Sequence, residues 1–379
     1  MGITTKRVST GPRLARLQEI IERRNLDGIV VSSYQNVSYF AGTHIMTQVS
    51  LPDRLAFVVL PRGGEPTVIV CGIETRQVKT QTDIADVRDY VEFAENPTDV
   101  LANVLAERKL SGGSIGIDAR RLPVASGRLI EERLSGVELV SVDDDIELAQ
   151  SVKDANEIAV LESAAKATLA AAEETAQELR AGASETDFST TAFLKLMQKG
   201  GVPLFLVFAS GARTMQAHPE SIDEPMPPGT LWRIDFGARF DEVINSDLAR
   251  TGVVGEPSSE QAATLKALRA TQDAGFNAIE PGRPARDVFN AVKSEFKRQG
   301  LPFSMPHIGH GMGIGLHEFP MLEPGNDTKI ELGMVLNIEP MAVIEARQEA
   351  YHTEDLAEVT PNGPRLLTPP QQQLLRIRA

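Results

Sequence analysis

Apolar residues recur at helical spacing across Arg13–Arg24, where Leu14, Leu17, Ile20 and Ile21 form one face. The pattern then tightens into short apolar runs: Gly28–Val31, next Tyr39-Phe40-Ala41-Gly42, then Leu55–Leu60, Thr67–Cys71, Ser114–Ile117 and Val137–Val140. Runs of this length between polar turns read as buried strands. Helical stretches near Thr98–Arg108 and Ala125–Leu134 separate some of them. Alternating strand and helix predicts an α/β domain over residues 1–150, and no catalytic constellation stands out in it.

The texture changes near residue 150. Asp143–Asp145 reads as an acidic turn, and Asp154 opens a long Ala- and Glu-rich helix running to about Leu179. Further helices at Thr186–Lys199, Glu260–Ala278 and Ala285–Gln299 separate strand runs at Leu231–Phe236, Val335–Ile338 and Leu356–Val359. Helices and hairpin-like strands in this order predict an α+β domain over residues 151–379. The tail Pro369–Ala379 is polar and reads as a terminal strap.

With 379 residues, 42% hydrophobic and 24% charged, the chain suits two globular domains, each with its own core. Its net charge of -14 argues against nucleic acid, which demands a clustered positive surface. The one cysteine, Cys71, lies in an apolar run and reads as a buried hydrophobe rather than a nucleophile. A lone cysteine makes no internal disulfide, so a cytoplasmic protein is the expectation. Met1–Pro12 lacks the apolar core of a signal peptide, and Lys6 stands where a myristoylation signal needs Ser or Thr. No apolar run approaches membrane-span length.

The chemistry gathers in the C-terminal half, where five of the six histidines lie beyond residue 210. Asp235 sits inside the apolar run Trp232-Arg233-Ile234-Asp235-Phe236-Gly237, where a carboxylate is costly unless something positive meets it. Asp247 follows after a polar turn, so a hairpin would point both carboxylates at one cation. His310 is flanked by Gly309 and Gly311, which permit close backbone approach. The glycines of this block have neither the spacing nor the following helix of a dinucleotide loop, and His317-Glu318 lacks the second histidine of a zinc helix. Glu339, in Asn337-Ile338-Glu339-Pro340, repeats the argument for Asp235, and Glu354 precedes another apolar strand.

Together these motifs carry a resemblance. Asp-x-Gly at Asp235, Ser-Asp-x-x-Arg-Thr at Ser246, Gly-His-Gly-x-Gly at Gly309, His-Glu-x-Pro at His317, Ile-Glu-Pro at Ile338 and Glu-Asp at Glu354 occur in the order found in the pita-bread metallopeptidases. That family includes methionine aminopeptidase, aminopeptidase P and prolidase, and the chain from about Ser151 to Pro364 resembles it. The N-terminal part resembles the creatinase-type N-domain of prolidase and aminopeptidase P. The resemblance implies five metal ligands, Asp235, Asp247, His310, Glu339 and Glu354, with His218 and His317 as catalytic histidines and Glu339 also moving a proton. It implies a homodimer as well. Four carboxylates and one neutral imidazole balance two divalent cations, and such a donor set favours Mn²⁺, with Co²⁺, Zn²⁺ or Fe²⁺ as alternatives. Two such ions lower the pKa of a shared water, giving a hydroxide that attacks an amide carbonyl.

Departures from the pattern bear on the substrate. The interval from Asp235 to Asp247 is one residue longer than usual for the family, which predicts a bulge or a larger turn. His352 stands where prolidase-like members often have an Arg bracing a ligand aspartate. Met321 stands where dipeptide-cleaving members tend to have an Arg that clamps the substrate carboxylate. His307 is three residues before His310, against the usual four. His307, His352 and Met321 are therefore the expected substrate contacts. The expected activity is an Xaa-Pro peptidase of the aminopeptidase P or prolidase type. Small-molecule C–N hydrolysis or lysis on creatine-, ectoine- or dimethylsulfoniopropionate-like compounds is the alternative, and a catalytically inactive binding protein a remote one. The partner is a peptide or small amide, with neither nucleic acid nor membrane.

Overall fold

The computed structural model describes residues 9–51, 53–241 and 243–379; Lys6 and the rest of segment 1–8 lie outside the described residues. Two compact units divide the chain, 1–150 and 151–379. In the first, strands β1 (Gly28–Val31), β2 (Phe57–Pro61), β3 (Thr67–Cys71), β4 (Asp86–Tyr90), β5 (Ser114–Ile117) and β6 (Glu138–Ser141) form one mixed sheet in the order β4-β3-β2-β1-β5-β6. Every residue of β1, β2 and β3 is buried, as their continuous apolar runs require. The run Tyr39–Ala41 is not a strand but the last turn of the helix Tyr34–Ala41. Ser33 caps that helix by accepting from the Asn36 N–H, and Gly42 ends it in the left-handed region at φ 61°. The acidic residues Asp143–Asp145 form the first turn of a helix, Asp143–Ser151, where its dipole favours them.

Among its described residues the second unit holds three sheets. Strands β7 (Val202–Ser210), β8 (Leu231–Phe240), β9 (Ile244–Asn245) and β10 (Leu248–Val254) share a sheet with the terminal β17 (Leu375–Ile377), in the order β17-β10-β8-β7 with β9 paired to β8. Strands β11 (Gly309–Gly311), β12 (Val335–Ile338), β15 (Asp355–Thr360) and β16 (Gly363–Leu366) form a second sheet, and β13 (Met341–Ile344) with β14 (Glu349–His352) a third. The polar tail thus closes a sheet edge: Gln371 bonds both the N–H and the carbonyl of Thr251 before β17 pairs with β10. Among the described residues no helix is long and apolar enough to cross a membrane.

Capping boxes start three of the long helices. Asp154 with Glu157, Ser184 with Asp187 and Ser258 with Gln261 bond reciprocally at Ala155–Glu178, Glu185–Gln198 and Ser259–Asn277. The alanines of the first helix, among them Ala164, Ala171 and Ala172, let it pack in one core with Phe188, Phe208, Trp232 and Phe236. A second core packs Leu265, Leu268, Val288 and Val292 with Leu336 and Ile338 of β12. The strands bearing the acidic motifs are therefore buried in apolar cores, and their carboxylates emerge from rigid backbone.

Candidate metal centre

One hairpin presents two carboxylates. The pairs Phe236–Leu248 and Arg239–Asn245 keep one register, so Asp247 falls level with Gly237 and on the same face as Asp235. The longer interval between the aspartates is absorbed in the turn between Phe240 and Ile244, where Asp241 adopts φ 48°; Glu242 in that turn lies outside the described residues. Gly237 has no substitute here, because a Cβ would meet the Ser246 carbonyl oxygen at 1.9 Å.

Opposite the hairpin, His310 on β11 pairs with Asn337 on β12 and is fully buried. Its Nδ1 lies 2.9 Å from the Gly311 carbonyl. A carbonyl only accepts, so Nδ1 carries the proton and Nε2 keeps its lone pair. Gly309 makes the approach possible, since a Cβ there would meet the Asn337 carbonyl oxygen at 1.9 Å. Glu354 is held on three sides, the first being its own N–H, which donates to the Ala249 carbonyl at 3.2 Å. Asn337 Nδ2 donates to its Oε1, and Arg250 Nη1 donates to its backbone carbonyl at 2.7 Å. Arg250 Nη2 also binds the neighbouring Asp355 carboxylate at 2.6 Å, a pair almost wholly removed from water.

Ligating atoms of Asp247, His310 and Glu354 lie within 4.8 Å of one another, and so do those of Glu339, His352 and Glu354. Glu354 belongs to both groups. His352, expected as a substrate contact, is buried between carboxylates: Nδ1 is 3.9 Å from Asp235 Oδ2 and Nε2 is 3.9 Å from Glu339 Oε2. His307, the second expected contact, is less buried, with Nδ1 3.3 Å from Glu339 Oε1. Met321 is partly exposed, and its carbonyl accepts from the Asn326 side chain at 2.7 Å. His317 stacks on His310 with ring centroids 4.2 Å apart and meets His307 edge-on at 5.8 Å. His218 is exposed.

Burial raises the carboxyls of Asp247 and Glu354 well above the ordinary range, and the charges of Asp235 and Glu339 add to it at both. Asp235 is pushed up to about 7 by burial and the charge of Glu339, with Arg233 opposing. Burial would raise Glu339 too, but His307, His310 and His352 together carry it the other way. Burial takes His352 down to about 4 and, aided by His310, lowers His317 as well. Both imidazoles are therefore neutral at pH 7. Among the described residues, buried Asp247 Oδ1, His310 Nε2 and Glu339 Oε1 find no hydrogen-bond partner. Convergent carboxylates with a free imidazole lone pair are what a hard or borderline divalent cation takes as ligands.

Residues 159–361 match Metallopeptidase family M24, and residues 13–152 match the Creatinase/Prolidase N-terminal domain. The chain belongs to metallopeptidase family M24. It is 26% identical to the Xaa-Pro dipeptidase of Pyrococcus furiosus, over 96% of this chain and 99% of that one. The probable dipeptidase PepE of Mycobacterium tuberculosis is 28% identical, over 93% of this chain and 92% of its own. Among solved structures, dipeptidase PepE from Mycobacterium ulcerans superposes with a TM-score of 0.84 at 25% identity, covering 98% of this chain and 100% of that one. This M24 chain is a metal-dependent hydrolase with an α/β creatinase-type N-terminal domain followed by the pita-bread catalytic domain.

Several supports of this M24 site were not singled out in the sequence. Arg250 and Asp355 lie 105 residues apart and meet behind Glu354. Lys153 Nζ binds Glu318 at 2.6 Å across 165 residues, while the other Glu318 oxygen accepts from the Ile314 and Gly315 N–H groups and shapes the loop before His317. Arg233 lies in an apolar strand, so the burial argument made for Asp235 applies to it equally.

Proposed function

We propose that this enzyme hydrolyses the amide bond before proline in peptides, using two divalent cations held by Asp235, Asp247, His310, Glu339 and Glu354. The observation that carries this reading is the pair of donor groups sharing Glu354, Asp247 with His310 and Glu339 with His352, and Asp235 joins them from the same hairpin face as Asp247. Divalent cations bound there supply an acidified water and an electrophile for the carbonyl. Glu339, kept ionised by its imidazole neighbours, takes the proton released in attack. Neutral His317 offers an N–H to the developing oxyanion, and His218 offers one at the leaving nitrogen. The carboxylate-rich donors favour Mn²⁺ over Co²⁺, Zn²⁺ or Fe²⁺. A cytoplasmic homodimer is the form this reading expects.

Replacing His317 with Ala is expected to lower kcat by about a hundredfold, the usual scale for a positioned acid–base group, with metal stoichiometry unchanged. Loss of a metal ion in that variant would move His317 into the ligand set.

The Xaa-Pro substrate class is supported by full-length similarity to the Pyrococcus furiosus Xaa-Pro dipeptidase. Met321 modifies it. A free dipeptide carries its carboxylate one residue beyond the scissile bond, and Met321 offers that charge no cation. Arg213 is already engaged by Glu185 and the Glu220 carbonyl. Xaa-Pro tripeptides are therefore expected to be cleaved with a higher kcat/KM than Xaa-Pro dipeptides, and Met321→Arg to lower the dipeptide KM. A Mn²⁺-loaded panel of both peptide lengths, with creatine and ectoine alongside, measures this. Faster dipeptide cleavage by the unmodified enzyme would overturn the reading of Met321. Turnover of only the small amides would replace the peptide substrate with the second reading, which the uncharged Met321 site favours.

A further inference from the structure

His218 is carried by a segment with little regular structure. A short 3₁₀ turn, Gly211–Met215, gives way to Gln216, Ala217 and His218, and all three are exposed. Such a segment does not hold an imidazole still by its own packing. Its two ends are tied to one carboxylate: buried Glu185 accepts from the Ser210 N–H at 2.8 Å and from the Ile222 N–H at 3.1 Å. Its middle is tied by Arg233, which is 1% exposed. Arg233 Nε donates to the Thr214 carbonyl at 2.8 Å. Its Nη2 donates to the Gln216 carbonyl and, at 2.8 Å, to the Ala217 carbonyl.

These carbonyls lie immediately ahead of His218. Arginine's planar fork reaches several acceptors in a fixed geometry, whereas an ammonium is a compact point donor on a flexible stem. Burying a guanidinium against carbonyls rather than a carboxylate is costly, and an apolar residue would fill a β-strand core position more cheaply. Arg233 also lies two residues before Asp235, on one face of β8. The same strand therefore presents a candidate ligand and a clamp on the histidine segment.

We propose that Arg233 is a positioning residue for His218, fixing the imidazole relative to the Asp235 strand through the Thr214, Gln216 and Ala217 carbonyls. The proposal rests on the catalytic reading of His218. Its test is a double-mutant cycle on the Mn²⁺-loaded enzyme with an Xaa-Pro tripeptide, joined to hydrogen exchange of the 211–218 amides. Arg233→Met is expected to lower kcat by about a hundredfold, the cost of misplacing a catalytic group by about 1 Å, while KM and metal content hold. In the His218→Ala background the same change is expected to cost less than about twofold, because residues acting as a unit are not additive. Exchange should rise in 211–218 and stay slow in β8 and β10. Arg233→Lys keeps the charge but not the fork, so a milder loss with the same local exchange serves if Arg233→Met does not fold. Additive losses, or exchange rising throughout β8 and β10, would overturn the proposal. An unchanged kcat in His218→Ala alone would remove the catalytic reading of His218, and the proposal with it.

Discussion

Asp247→Asn is expected to abolish turnover with every metal tried, and to make the metal-stripped protein more stable at pH 7 than stripped wild type. Both effects come from one charge. Asp247 is buried beside Asp235 and Glu339, whose repulsion adds to its desolvation, while a hydrogen bond with Glu354 opposes them. The sign follows from linkage. Asp235, Asp247 and Glu354 have folded-state pKa values above those of the unfolded chain, so the folded form binds more protons. The stability these three groups contribute to the stripped protein is then fully present below about pH 4, the unfolded carboxyl value, and is lost as pH rises through the raised values, Asp235 titrating at about 7. Among the four carboxylates of the site Glu339 is the one shifted downward, and it opposes this trend. Bound cations reverse it, contributing about 2.7 kcal/mol at a hundredfold excess over Kd. Melting curves from pH 4.5 to 7.5 in chelator and in Mn²⁺ measure all of this. A stripped wild type equally stable at both ends, or an Asn variant that still turns over, would sink the two-metal reading.

Arg250→Met should be the most destabilising single change near the site. It leaves Asp355 buried and unpaired, and removing one partner of such a pair costs about 3–5 kcal/mol. The Glu354 carbonyl also loses its donor. The double variant Arg250→Met/Asp355→Leu replaces the pair by apolar side chains and should recover most of the stability. Metal affinity should stay reduced, because the Glu354 backbone is still unheld. Denaturant melts of stripped protein and metal titration separate the two effects. A single variant within about 1 kcal/mol of wild type would mean that Asp355 is stabilised chiefly by Thr368 and Gln272.

The chain announces some of these features and hides others for physical reasons. Asp235 and Glu339 were legible because a carboxylate inside an apolar run contradicts its surroundings, and His310 because glycines flank it. Which residues support them was not legible. Arg250 with Asp355, and Lys153 with Glu318, are pairs made by tertiary folding, and no local pattern links positions so far apart. The burial of His352 between Asp235 and Glu339 was not legible either, because a position in a motif says nothing of depth. Strand β4, Asp86–Tyr90, escaped notice because an edge strand tolerates polar residues, which break the apolar run. Tyr39–Ala41 misled in the opposite direction, since an apolar cluster looks alike at the end of a buried helix and in a strand.

Strand β7 is an outer strand of its sheet, and its register slips between Pro203 and Phe205. Exposed Val202 and Leu204 flank that proline, and Leu194 and Met197 stand exposed on the neighbouring helix. An open apolar edge of this kind invites ribbon-like addition of a strand from another molecule. Pro203 brings no N–H to such a ladder, and the slip breaks its repeat. The outer side of the sheet that keeps Asp235 in place is in this way a poor template for a further strand, through its proline and its slipped register together.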